Sequence, residues 1–426
     1  MSEVLGTTRS LCPECLQQLP ATIVAHDDGT VWMERSCPEH GFFEAYRWPN
    51  AQHYAYYCAH ALPAVAPKLT RPMQAPCPFS CGICTHHKRR PTQVGIELTQ
   101  RCNLNCPVCF MDSKREDDEL SAEDFRPLFE TIVANAGGEC GVNLTGGEPT
   151  VRIDLPSIVR IGREAGVNFI EISTNGLVIA RDPGFLHDLA EAGISGIYLQ
   201  FDGVTPEPYL ATRGADLLDL KLKAIENCRA EGVQVVLAMT IVGGVNEKQI
   251  GSVIRFALEN NDVVVGVALQ PAFESGRFDV KCSRPLTMGD VIFALEDQTD
   301  GLIQVNDVVP LGCSHPLCDA GVYLAREGEG YVSVTRDLSH EDYLALYDPA
   351  SPQGAVLWDI AAQRVPGFAG GLSIIIMDYM DRSNVDLERL EQCSMFHATV
   401  DGRLIPFCSS ELTDASGKRI YSSLGR

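Results

Sequence analysis

From Val94 to about Gln270 the chain repeats one hydrophobic pattern six times: a short apolar run rich in β-branched residues, then a stretch with apolar positions at helical spacing. The runs fall at 94–99, 140–145, 168–173, 196–201, 233–240 and 263–270. The stretches between them include DLPSIVRIGREAG, DPGFLHDLAEAG and NEKQIGSVIRFALEN. Alternation of this kind builds a parallel sheet, because each helix carries the chain back to begin the next strand in the same direction. Six units fall short of the eight that close a barrel, so the pattern predicts an α/β fold with an open, partial (β/α)6 barrel over residues 94–275.

The flanks follow other rules. Residues 1–57 hold the hairpin ATIVAHDDGTVWMERS, turning at Asp28-Gly29, between LCPEC and CPEHG. Two such knuckles around a hairpin predict a zinc-ribbon or rubredoxin-like module with Cys12, Cys15, Cys37 and His40 as ligands, a set that suits zinc and iron alike. Residues 58–93 form a linker, with Pro63, Pro67, Pro72 and Pro76 followed by the triplet Cys77, Cys81 and Cys84. After residue 275 the regularity weakens. A helix is expected to start near Thr287, with Asp290 at capping-box spacing, and the C-terminal region 276–426 carries Cys313, Cys318, Cys393 and Cys408.

Charge and cysteine usage narrow the chemistry. The chain has 34 lysines and arginines against 56 acidic residues, a formal charge of −22, which argues against a nucleic-acid substrate. No apolar run approaches the ~18–20 residues of a membrane span, and MSEVLGTTRS has no apolar leader, so the expectation is a cytoplasmic protein without a transmembrane segment. Seventeen cysteines in a reducing compartment read as metal ligands rather than disulfides.

In parallel α/β folds the site is assembled from loops at the C-terminal ends of the strands. Here those loops read TQRCNLNCPVCF, TGGEPT, STNG, QFDG, GGVN and LQP, polar or glycine-rich throughout, as one shared cavity requires. Cys102, Cys106 and Cys109 supply three thiolates to a 4Fe–4S cluster and leave one iron open to a small molecule. Gly146 and Gly147 offer unobstructed backbone, and Glu148 offers a carboxylate to an ammonium. Gln200 and Asp202 are placed to meet ribose hydroxyls, and Ser173, Thr174 and Asn175 lie on the neighbouring strand end.

Taken in order, these motifs resemble the radical S-adenosylmethionine superfamily between Val94 and Gln270. Its Cys-x3-Cys-x2-Cys matches Cys102, Cys106 and Cys109, with Phe110 in the aromatic slot that follows. Its glycine-rich motif matches Gly146-Gly147-Glu148-Pro149, and its ribose position matches Asp202, with Gln200 where a serine is commoner. The resemblance implies that the open iron chelates the amino and carboxylate groups of S-adenosylmethionine. A 5′-deoxyadenosyl radical then takes hydrogen from an unactivated carbon, in a cavity that keeps water out. A reduced ferredoxin- or flavodoxin-type electron donor is implied as well.

TRSLCPEC with CPEHG, CPFSCGICTHH, GCSHPLC and DLERLEQC with DGRLIPFC extend the resemblance over nearly the whole chain. They point to the group that includes the archaeal tetraether lipid synthase and methyltransferases of a hydroxymethyl-dihydropterin. That group implies C–C bond formation, by coupling or by alkylation or methylation, on a lipid or pterin-like substrate. It also implies one or two auxiliary 4Fe–4S clusters and a mononuclear iron or zinc. Two other readings stay open: a radical maturase of peptides or cofactors, and an electron carrier or cluster scaffold. The nucleoside motifs speak against the carrier.

Within this frame Cys77, Cys81 and Cys84 hold either an auxiliary cluster, closed by Cys393 or Cys408, or a second S-adenosylmethionine. The first is favoured because the triplet precedes the barrel and has no glycine-rich or ribose motif of its own. Cys313, Cys318, Cys393 and Cys408 can form a four-thiolate site, while Cys140 and Cys228 read as small core residues. The basic run His86–Arg90 reads as a phosphate or head-group contact or as a solvated loop. His315 and His397 read as cluster ligands or donors, or as packed side chains.

Overall fold

The computed structural model describes residues 3–113, 119–282, 284–348 and 355–421. An antiparallel sheet of four strands opens the chain: β1 (Glu3–Leu11), β2 (Gln18–Ala25), β3 (Val31–Cys37) and β4 (Gly41–Trp48). The expected hairpin is β2–β3, and its turn has Gly29 at φ 83°, a conformation that glycine adopts without strain. A helix, Ala51–Ala59, follows, capped by Asn50, whose side chain accepts from the His53 amide. It takes in Cys58 and Ala59, so the extended stretch starts two residues after the expected boundary at 58.

The second sheet is built from β5 (Gln93–Thr99), β7 (Gly141–Gly146), β8 (Phe169–Thr174), β9 (Gly196–Gln200), β10 (Val235–Ile241) and β11 (Val264–Pro271). These are the six expected strands, all parallel and in chain order across the sheet. Between β5 and β7 lies the short β6 (Val108–Cys109), which pairs with β12 (Arg277–Phe278). Later residues supply β13 (Val309–Pro310), β14 (Asp319–Glu327), β15 (Gly330–Ser333), β16 (Gly371–Met377), β17 (Met395–Ala398) and β18 (Leu404–Pro406). β16 joins parallel to β11 at one edge, and β17 joins parallel to β5 at the other. The C-terminal region therefore completes the same sheet on both sides, with β14 and β18 capping its edges antiparallel.

Apolar residues fill the space between sheet and helices; Ile96, Leu144, Ile172, Leu199, Leu237 and Leu269 are all buried. Alternate positions on the same strands, such as Asn143, Glu171, Ser173, Tyr198 and Gln200, face a cavity inside the barrel. The expected capping box at Thr287 and Asp290 starts the helix Met288–Gln298. That helix packs Gly289 so tightly beneath Trp48 that a Cβ there would lie 2.6 Å from the indole.

The basic run takes a role other than either reading. Arg89 is buried and donates to the carbonyls of Leu62, Pro63 and Gly312, His87 Nε2 lies 2.7 Å from the Cys393 carbonyl, and Lys88 pairs with Glu391. Arg9 binds the same Glu391, and Arg47 binds Asp386. His87, Lys88 and Arg89 thus clamp the linker to the C-terminal region, Arg89 on buried carbonyls and the half-exposed Lys88 on Glu391, while His86 is exposed. Among the described residues no helix is long and apolar enough to cross a membrane.

Candidate active site at the strand ends

The first strand end carries the loop with Cys102, Cys106 and Cys109. Its start is pinned by Thr99, whose hydroxyl donates to Glu119 and accepts from the Arg101 amide. Its end is held by the β6–β12 pair and by Arg277, which donates to the Cys106 carbonyl at 2.8 Å. Burial pushes the Cys102 thiol up to about 11 and raises Cys106 as well. The second strand end lies directly against this loop. The Gly147 amide donates to the Thr99 carbonyl at 2.7 Å, and the Glu148 amide donates to that of Arg101 at 2.8 Å. A Cβ at Gly147 would lie 2.3 Å from the Arg101 oxygen, so the glycines are required by backbone meeting backbone.

Glu148 differs from the expected open ammonium acceptor. Its Oε1 accepts from the Thr150 amide, the Thr150 hydroxyl and the Thr174 hydroxyl, and its Oε2 accepts from the Asn175 amide at 2.7 Å. The carboxylate staples the second strand end to the third. Asn175 in turn donates from Nδ2 to Asn103, beside Cys102, at 2.7 Å. Ser173 donates to Asn143 at 2.7 Å and borders the cavity.

Asp202 departs from expectation in the same way. It is fully buried and holds Arg213 through two bonds of 2.6 and 2.9 Å, while also accepting from Thr212, Gln200 and the Thr240 amide. Its oxygens are committed to the protein, so Gln200 and Arg213 are what the cavity meets. Burial opposes the Arg213 cation, but Asp202 outweighs it and keeps the guanidinium charged beside Cys106 and Cys109. Lys221, buried below, donates to Gln200 at 2.8 Å and to the Asn175 carbonyl, and burial pulls its pKa down to about 7.

These loops roof a cavity of about 670 Å³. Cys102, Cys106, Cys109, Gly146, Gly147, Glu148, Ser173, Asn175, Gln200 and Arg213 all border it. An aromatic group of Phe110, Phe273, Tyr379 and Phe407 closes one side, with ring centroids 4.5–6.3 Å apart. Beside it His397 Nδ1 meets the Ser410 hydroxyl at 2.9 Å, Glu411 at 3.5 Å and Glu97 at 3.6 Å, with Arg419 paired to both carboxylates. His397 thus belongs to a carboxylate network, while His315 accepts the Leu317 amide and serves as a turn cap.

The remaining cysteines divide into three groups. Cys12, Cys15, Cys37 and His40 bring all their ligand atoms within 4.8 Å of one another, a span that one ion bridges. Cys77 and Cys81 lie close enough to perturb each other's thiols, Cys77 raised and Cys81 lowered, with Cys84 near, under the C-terminal tail. There Ser409 accepts from Cys81 Sγ at 3.4 Å, and Tyr421 accepts from the Cys81 amide at 2.7 Å. Cys393 and Cys408, both buried, and the half-buried Cys318 lie within electrostatic reach of one another. Cys313 is instead engaged with Asp319 at 3.8 Å, while Cys318 accepts from Arg389, Cys393 donates to the Met395 carbonyl and Cys408 accepts from the Met380 amide.

Comparison with known proteins agrees with this geometry. Residues 96–257 match the Radical SAM superfamily, and residues 4–49 match the HMPTM N-terminal zinc ribbon domain. A 7,8-dihydro-6-hydroxymethylpterin dimethyltransferase of Methanocaldococcus jannaschii is 33% identical over 94% of this chain and 92% of its own. The chain belongs to the radical SAM superfamily. A second relative, the Fe-coproporphyrin III synthase of Methanosarcina barkeri, is 35% identical over 34% of this chain and 35% of its own. Among solved structures, Streptococcus suis SuiB bound to precursor peptide SuiA aligns over 50% of this chain and 47% of its own, with 21% identity and a TM-score of 0.44.

This radical SAM protein is an enzyme of transferase type, and its family implies S-adenosylmethionine and a 4Fe–4S cluster. The residues fit that group: three soft donors on one loop border a cavity, with the Arg213 cation placed to offset thiolate charge. Arg213 and Glu171 border the cavity and Lys221 reaches Gln200 from beneath it, and the strand-end motifs missed all three.

Proposed function

We propose that this radical SAM enzyme forms C–C bonds on a dihydropterin-type substrate by methylation or alkylation. The observation that carries the reading is a cavity whose roof is the cysteine loop and whose lower wall is polar, with Asn143, Glu171, Tyr198 and Gln270 turned inward. Bound S-adenosylmethionine and the reduced cluster supply a 5′-deoxyadenosyl radical, able to take hydrogen from an unactivated carbon. The chain's own residues do the rest. Cys102, Cys106 and Cys109 hold the cluster. Arg213, fixed by Asp202, neutralises its charge. Gly146, Gly147, Asn175, Ser173 and Gln200 border the space for the nucleoside, and the aromatic side keeps water away from it.

Zinc in the Cys12–Cys15–Cys37–His40 set fixes the N-terminal module. Cys77, Cys81 and Cys84 hold one auxiliary cluster, and Cys318, Cys393 and Cys408 hold a second, with Cys313 as a neighbour rather than a full member of the set. An external reductant of ferredoxin or flavodoxin type delivers electrons. The test is anaerobic incubation with S-adenosylmethionine, reductant and 7,8-dihydro-6-hydroxymethylpterin. The expected result is 5′-deoxyadenosine that depends on the pterin, together with a methylated pterin by mass spectrometry. Pterin-independent product formation, with no change in pterin mass, overturns the reading.

A further inference from the structure

Of the four inward-facing polar residues Asn143, Glu171, Tyr198 and Gln270, only Glu171 carries a carboxyl. Glu171 sits at the middle of β8 and faces the cavity. By register it stands level with Asn143 on β7, and it lies one pleat below Ser173, whose strand end carries the site residues. Along the strand it is about 13 Å from Asn175, so one ligand can occupy the roof and a second the floor. Burial raises its pKa to about 7, and the one donor it has among the described residues is the Gln93 amide. No cationic side chain acts on it there. The neighbouring Tyr198 hydroxyl accepts from Gln270 Nε2 at 2.7 Å, and the Glu171 carboxyl faces the cavity.

A carboxyl held inside a protein without a cation is costly unless a ligand completes its hydrogen bonds. Two parallel N–H donors match the two oxygens of a carboxylate, as a guanidinium does. We infer that the cavity floor recognises the aminopyrimidinone edge of a nitrogen heterocycle, its two adjacent N–H groups donating to the Glu171 oxygens. The inference rests on the dihydropterin reading and deepens it. It also sets a direction, with the polar edge of the ring on the floor and the carbon substituents toward the cysteine loop. An alkyl chain in the same space would strip water from Glu171 and return no hydrogen bond, so the floor discriminates against a lipid substrate.

The test is anaerobic titration of the cluster-loaded enzyme with three probes: 7,8-dihydro-6-hydroxymethylpterin, its analogue lacking the 2-amino group, and guanosine, which shares the aminopyrimidinone edge. Wild type and Glu171→Gln are compared, with iron content and circular dichroism confirming that the variant is folded. Wild type is expected to bind the pterin about 10- to 100-fold more tightly than either the variant does or than it binds the deaminated analogue. The variant is expected to make little distinction between pterin and analogue, a signature that a purely structural role would not produce. Equal pterin binding by wild type and variant overturns the inference and leaves the proposed function standing. Glu171-dependent binding of guanosine without pterin binding keeps the inference and overturns the pterin reading. Binding of neither ring by wild type overturns both.

Discussion

Two loops of this chain carry the same spacing, Cys77–Cys81–Cys84 and Cys102–Cys106–Cys109, and the fold treats them oppositely. The second follows a barrel strand, is half-buried and opens onto the cavity beside Arg213. The first follows a linker and lies under the tail, with Ser409 and Tyr421 on Cys81 and Gln18 of the N-terminal module on the Cys77 carbonyl. Equal ligand spacing gives equal capacity to hold iron, but access decides what the iron can do. The second loop opens onto a cavity that can admit a small molecule, whereas the first is covered at Cys81 by Ser409 and Tyr421, keeps Cys77 and Cys84 half-buried, and does not line that cavity.

The comparison breaks first, and most completely, at the cysteines. Cys102→Ala is expected to abolish 5′-deoxyadenosine formation. Cys77→Ala should lower iron content yet leave S-adenosylmethionine cleavage measurable. Loss of cleavage in both variants, with the Cys102 cluster still visible by Mössbauer spectroscopy in the second, would erase the functional difference between the loops. Next in size is Arg213→Met, which strands the fully buried Asp202 carboxylate. Removing one partner of a buried pair costs about 3–5 kcal/mol, read as a lower urea midpoint, and adding Asp202→Asn should recover part of it. No such loss is expected from Arg403→Met, near the first loop, because its partner Asp401 is half exposed.

The sequence made much of this visible, for reasons that differ by element. The six strands and the cysteine loop were legible because a parallel βα unit writes its period locally and its strand ends collect the polar residues. β16 and β17 were not, since their partners β11 and β5 lie about a hundred and three hundred residues away and nothing in GLSIIIM or MFHA names them. Glu148 and Asp202 were found, but the protein donors they accept from were not, because a motif locates a carboxylate without saying which donors will surround it. Lys221 left a readable trace: with Leu217, Ala224 and Cys228 it lies on the buried stripe of its helix, where a charged residue is out of place unless it reaches a site. Glu171 left one too, an acidic residue between Ile170 and Ile172 at the middle of a strand.

The pH response sharpens the contrast between the open side and the sealed one. Glu171 has a folded pKa of about 7, above the ordinary 4.5, so its contribution is fully present below about pH 4.5 and is lost as pH rises through 7. Glu171→Gln should therefore flatten a decline of about 2 kcal/mol between pH 5 and 8 in urea unfolding of the ligand-free protein. Glu391, on the clamped side, behaves with opposite sign. Burial opposes its charge, but Arg9 and Lys88 hold its pKa below the usual value. Its stabilisation is present above about pH 4.5 and is lost as pH falls through the lower folded value, so Glu391→Gln should matter at neutral pH and little in acid.

The smallest expected effect tests the seal itself. The Tyr421 hydroxyl accepts the Cys81 amide at 2.7 Å and donates to the Pro78 carbonyl, so one oxygen ties the tail to both sides of the first cysteine loop. Tyr421→Phe keeps the ring and its contact with Arg403 while leaving a half-buried amide without its acceptor. The loss should be about 1 kcal/mol, near the lower limit for an unsatisfied backbone donor, because water can partly replace the hydroxyl at this depth. The decisive readout is selective. Iron held by Cys77, Cys81 and Cys84 should be lost to a chelator faster in the variant, while iron at Cys102, Cys106 and Cys109 is lost at the wild-type rate. Equal acceleration at both loops would mean that the tail stabilises the barrel as a whole, and the distinction between a sealed loop and an open one would then rest on the cavity alone.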